Sequence, residues 1–159
     1  MQGGSAEVTT KNNQNEFIVT AKNYAKKAQD LGINTALYMT HAYVKPDKRF
    51  QPNLIEKIKE TYYSAGKASN STVIPVGLAY EIAYAAKPNI KLHHPDGTHP
   101  GPLGTYLAAA TVVASITKES PVGLEFNYYD SVDDGNRLFL QEIAWQAYLK
   151  GEKELSLHN

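Results

Sequence analysis

The 159-residue sequence contains no cysteine. Disulfides, thiolate metal sites and a cysteine nucleophile are therefore excluded, and cysteine usage gives no clue to the redox compartment. Neither sign of charge is in excess: 16 Lys and Arg stand against 16 Asp and Glu. Nucleic acid is accordingly not expected as the main partner, because phosphate binding needs a basic excess or patch. The longest apolar stretch, Tyr106 to Ile116, is about half a membrane span, so no transmembrane helix and no membrane partner are expected. Met1-Gln2-Gly3-Gly4-Ser5 lacks the basic and apolar regions of a signal peptide, and nothing else in the chain fixes a compartment. No internal repeat or low-complexity linker is visible. What remains is 42% hydrophobic and 20% charged, an ordinary globular composition. Its length fits a single domain over 1–159 with a core of its own.

Helical and extended patterns alternate along the chain. Residues 6–15 are polar and read as a loop. Phe17, Ala21, Tyr24, Ala25, Ala28 and Leu31 fall at helical spacing and predict a helix from Glu16 to Leu31, with Gly32 as its stop. A short run from Asn34 to Thr40 has strand length. Leu54, Ile55, Ile58, Tyr62 and Ala65 mark a second helix, started near Pro52 and stopped at Gly66. Thr72 to Val76 is β-branched and reads as a second strand. Helices then follow over Leu78–Ala86, Leu103–Thr117 and Asp133–Lys150. Strands alternating with helices imply an α/β fold with a parallel sheet. Two clear strands are few for such a sheet.

The loop over residues 87–104 holds three of the five histidines. A loop of that length in a small domain is usually functional. Within His93-His94-Pro95-Asp96-Gly97-Thr98-His99-Pro100, Asp96 and His99 are three residues apart, just before a helix. In a turn, that spacing lets a carboxylate reach the near nitrogen of the imidazole, leaving the far nitrogen free as a general base. Two other readings fit the same residues. Asp96 can simply cap the following helix, or His93, His94, Asp96 and His99 can supply metal ligands. His41, at the carboxyl end of a strand, sits where parallel sheets bind ligands. Tyrosine is abundant, but Tyr24, Tyr62, Tyr84, Tyr106 and Tyr148 fall on helices, where half-burial explains them as well as sugar stacking does.

Beyond these residues lies a family likeness. Val73-Ile74-Pro75-Val76-Gly77-Leu78-Ala79-Tyr80, then Leu92, then Asp96-Gly97-Thr98-His99-Pro100, then Leu103-Gly104-Thr105-Tyr106-Leu107-Ala108-Ala109 resembles the C-terminal part of the SGNH (GDSL-type) hydrolases. Ala36 to Tyr43 and Leu140 to Trp145 are similar to further segments of one branch of that family, with His41 where tryptophan is common. The resemblance spans roughly residues 1–150. It implies a flavodoxin-like three-layer α/β/α sandwich with a parallel sheet. It also implies that His99 and Asp96 belong to a Ser-His-Asp triad of an ester hydrolase needing no cofactor and no metal. Small-molecule or acetylated-carbohydrate esters are the substrates it implies, and members are often exported.

The family's nucleophile block, an apolar strand followed by Gly-Asp-Ser, is not among these residues. Gln2-Gly3-Gly4-Ser5 is instead similar to the family's third block, which implies Gln2 as an oxyanion-hole donor with Gly3 and Ser5 lining the site. The chain thus looks like the family with its first strands removed and the sandwich incomplete at the N-terminal side. Little or no hydrolase activity is then expected of it, and a dimer or larger assembly through the exposed sheet edge. Two alternatives stand beside the esterase: a non-catalytic binding or remnant domain, and a metal-assisted hydrolase using His93, His94, Asp96 and His99.

Overall fold

The computed structural model describes residues 1–157. Two short strands, β1 (Ala36–Tyr38) and β2 (Thr72–Ile74), pair in parallel with Leu37 opposite Val73. Five helices surround them: α1 (Lys11–Gln29), α2 (Leu54–Ser69), α3 (Val76–Ala86), α4 (Pro102–Thr117) and α5 (Asp134–Leu157). The protein is a helix-rich α/β fold. The parallel pairing expected from the alternation is present, and each strand is shorter than its apolar run.

α1 packs on α2, while α5 packs on α3 and α4. The buried side chains form one cluster in which Leu37, Met39, Leu54, Ile58, Tyr62, Leu78, Leu92, Leu107 and Leu140 are fully enclosed. At about 25 cal/mol per Å² of apolar surface, each such side chain stabilises the fold by roughly 1.5–3 kcal/mol. Among the described residues no helix is long and apolar enough to cross a membrane.

Three element boundaries depart from expectation for identifiable reasons. α1 begins five residues earlier than its apolar spacing indicates, because the Thr10 side chain caps it by accepting from Asn13 N and Gln14 Nε2 donates to Val8 O from a buried position. α2 runs past Gly66 to Ser69 and ends at Asn70 in the left-handed region. Gly66 is not a stop: a Cβ there would press into the Val73 side chain, so glycine is what lets α2 lie against β2. α5 likewise continues past Lys150, with Gly151 set against Pro75 and Tyr63.

Candidate functional site

β1 ends at Tyr38, and the chain beyond it meets the loop that precedes α4. This is the carboxyl end of the sheet, where parallel strands present ligand-binding loops. The loop from His93 to Pro100 folds back on itself: His93 and Pro100 form an antiparallel bridge, His94 N donates to His99 O at 2.7 Å, and Gly97 N donates to His94 O. Gly97 has φ +73° at the tip. A Cβ there would run into Val44 O, so the tip is glycine on both conformational and steric grounds.

Asp96 organises the turn. Its Oδ1 accepts from Thr98 N at 2.8 Å and His99 N at 3.0 Å, and its Oδ2 accepts from His99 Nδ1 at 2.6 Å. The hydrogen bond from His99, reinforced by the His99 and Thr98 amides, holds the Asp96 carboxyl well below the usual carboxylate range. A carboxylate has no proton to give, so Nδ1 carries the hydrogen and the neutral ring presents Nε2 as its free acceptor. The side chain of His99 is 75% exposed. His94 Nδ1 lies 3.6 Å from the same Asp96 oxygen.

Residues that the spacing does not reveal brace this turn. Val44 N donates to Gly97 O. The His41 ring donates from Nε2 to Thr98 O at 2.9 Å. The Thr98 hydroxyl donates to Asp47 Oδ2 and accepts from Arg49 Nη2. Arg49 donates to Asp47 three times, from N to Oδ1 at 2.7 Å, from Nε to Oδ1 at 3.1 Å and from Nη2 to Oδ2 at 2.7 Å, and lies 4.0 Å over the Tyr43 ring. The Asp47 side chain is only 8% exposed. Arg49 and then Thr98 hold its carboxyl below the ordinary range. A Thr between Asp96 and His99, and an Asp-x-Arg on the facing loop, were the available signals for this clamp.

Beneath the turn lies a ring cluster. His41 stacks on Tyr80 at 4.6 Å, and His93 meets His41 edge-on at 4.8 Å. His93 donates from Nε2 to Ala42 O at 3.0 Å and accepts at Nδ1 from the Tyr84 hydroxyl at 2.6 Å. Burial, with His41 alongside, pushes His93 down to about 4, and burial lowers His41 too. Both ring nitrogens of His93 are therefore committed to protein partners. Among the described residues no three His, Asp or Glu side chains converge as metal ligands.

The N-terminal candidates lie elsewhere. Gly3 exchanges both backbone groups with Tyr62, its N–H donating to the phenol oxygen at 3.0 Å and its carbonyl accepting from the hydroxyl at 3.1 Å. Gln2 and Gly3 line a groove beside α1 that contains neither Asp96 nor His99. Ser5 is buried and donates its hydroxyl to His41 O at 2.6 Å, with the Thr40 hydroxyl 2.9 Å away. Asp96, His99 and His41 are thus brought together. Ser5 joins them only through the His41 backbone, and Gln2 and Gly3 do not.

No family model matches the chain, and no curated protein does. A solved structure does: the crystal structure of a DUF4886 family protein from Bacteroides uniformis has a TM-score of 0.80 at 17% identity over 93% of this chain. The match covers 60% of that protein, so the chain spans less than two thirds of its solved neighbour. At that identity the likeness is one of fold.

Proposed function

We propose that Asp96 and His99 are the acid–base half of a serine ester hydrolase of SGNH type, on a three-layer sandwich of which β1, β2 and their helices are part. The 2.6 Å bond from His99 Nδ1 to Asp96 Oδ2, with Nε2 on the exposed side of the ring, carries this reading. In the proposed reaction Nε2 takes the proton of a serine hydroxyl as its oxygen attacks the ester carbonyl. Asp96 stabilises the imidazolium so formed, which then protonates the leaving alkoxide. An acyl-enzyme results, and water activated by the same nitrogen releases the acid. Esters of small molecules or acetylated carbohydrate are the proposed substrate class.

Ser5 is not the proposed nucleophile, since its proton is directed at His41 O. The 159-residue chain is therefore proposed to have little or no turnover of its own. That same bond favours a second reading, a non-catalytic binding domain. A fluorophosphonate probe and hydrolysis of p-nitrophenyl acetate test both. The esterase reading expects any hydrolysis above buffer to vanish in His99→Ala and to fall strongly in Asp96→Asn. Near-normal turnover in His99→Ala defeats it. Labelling of Ser5, with turnover lost in Ser5→Ala, would place the nucleophile in this chain.

A further inference from the structure

We propose that the exposed face of α1 is a self-association surface whose occupant is the α1 of a second copy, packed antiparallel across a two-fold axis between Thr20 and Asn23. Residues 13, 17, 20, 24, 27 and 31 follow one another at steps of four and three, so Asn13, Phe17, Thr20, Tyr24 and Lys27 form one stripe on α1, which Leu31 prolongs past the helix end. Tyr24 is 60% exposed, Leu31 77% and Ile33 55%. Isolated exposed apolar residues are ordinary; here Tyr24, Leu31 and Ile33 lie together toward the C-terminal end of α1, and Phe17 continues the stripe into a groove wall.

The stripe borders a recess. Met1 lies beside β1, its amino group donating to Ala36 O at 2.6 Å and its carbonyl accepting from Tyr38 N at 2.9 Å. Between this segment and α1 runs a groove of ≈520 Å³ with Phe17, Ala21 and Leu37 among its walls. Each copy therefore offers a protruding ring, Tyr24, and a hollow beside Phe17 and Thr20. An antiparallel pairing centred between Thr20 and Asn23 brings the second copy's Tyr24 to the level of Val19 along the helix, on the side of Phe17 and Thr20 that borders the hollow. Both positions at the crossing have short side chains, which permits close approach of the two helices.

Charge selects the occupant. Along the stripe Glu16 stands toward the N-terminal end and Lys27 toward the C-terminal end, while Lys11 and Lys22 fall on the opposite side of the helix. Lys26 is engaged by Asp30 on its own helix. Glu7, on the groove wall, adds a second acid to the Glu16 end. A face with its acid at one end and its base at the other matches a copy of itself when the two run antiparallel, and the two-fold then forms the Glu16–Lys27 contact twice. A formal net charge of zero adds no bulk repulsion.

Sedimentation equilibrium on the full chain tests this, at low and at physiological salt. A dimer is expected, weakened by salt. E16K and K27E should each weaken association by at least roughly tenfold, with circular dichroism unchanged. A mixture of the two single variants should associate, and the E16K/K27E double variant should return to the original dimer. Tyr24→Ala should weaken the dimer without affecting the charge rescue. A wild-type chain that stays monomeric at every concentration overturns the proposal, as it would if another polypeptide fills the groove. A dimer indifferent to both swaps, or swaps that do not rescue each other, also overturns it.

Discussion

Two glycine-bearing turns flank the carboxyl end of β1, and they dispose of their polar groups in opposite ways. In the turn from His93 to Pro100, backbone and carboxylate bonds close the loop and engage His99 through Nδ1 while its side chain stays largely exposed. In the segment from Gln2 to Ser5, Gly3 gives both backbone groups to Tyr62, and Ser5 gives its hydroxyl to His41 O. A group whose hydrogen bonds are all made within the protein stabilises it and has nothing left for a substrate. A group held in place by one bond, with another valence free, is prepared for proton transfer. The same contrast holds between histidines. His93 has both nitrogens engaged, whereas His99 has one.

The largest effect expected from this contrast is at His99. Removing the general base from a competent ester-hydrolase site costs about 10²–10⁴-fold in rate. Under the proposed function, His99→Ala should therefore abolish whatever ester hydrolysis the domain supports once a nucleophile is supplied, whereas His93→Gln should act mainly on stability. Equal losses of turnover in the two variants, at matched folding, would erase the distinction between them.

The next effect is structural. Gly97→Ala forces a side chain into the left-handed region and against Val44 O, so it should destabilise the protein by about 2–4 kcal/mol. For a chain of this size that is a fall in Tm of about 5–15 °C, readable by calorimetry. Gly32 has a similar φ of +74° but nothing near its missing Cβ, so Gly32→Ala should cost less. Equal costs would show that the contact with the Val44 loop is not what holds the dyad turn.

A smaller effect is expected from pH. His93 ionises at about 4 in the folded protein, below the 6.5 of a free imidazole, so the folded state takes up its proton later than the unfolded one. Stability is full above pH 6.5 and falls as pH drops from 6.5 toward 4, by about 1–2 kcal/mol for a ring that is only half-buried and partly screened. Urea titrations across this window should show the loss, and His93→Gln should flatten it. A pH-independent midpoint would remove His93 from the folded state's neutral core.

Much of this was legible in the sequence. The parallel pairing followed from alternation, and the Asp96–His99 bond from three-residue spacing in a Gly-Pro turn, because both are local or periodic signals. The clamp on Thr98 was not, since Asp47 lies 51 positions away and nothing local brings the two together. Gly66 was misread because a glycine needed for close helix–strand approach looks in sequence like a helix stop. The start of α1 was misread because Lys11, Asn12 and Asn13 carry no apolar period, while Thr10 capping and the buried Gln14 bond decide the matter in three dimensions.

Ser5 gives the smallest and most discriminating effect. Its hydroxyl is buried, donating to His41 O, whose own ring supports Thr98, and lying within hydrogen-bond distance of the Thr40 hydroxyl. Ser5→Ala removes one donor and leaves a carbonyl short of a partner, which costs about 1 kcal/mol, or roughly 2–4 °C in Tm. Because the bond reaches the backbone of His41 and not the dyad, the Asp96–His99 bond should survive. In two-dimensional imidazole NMR, the Nδ1–H signature of His99 should be unchanged in Ser5→Ala and lost in Asp96→Asn. A Ser5→Ala variant of unaltered Tm that no longer takes up a fluorophosphonate would reverse the assignment. The hydroxyl would then be a nucleophile, and the two turns would be halves of one site.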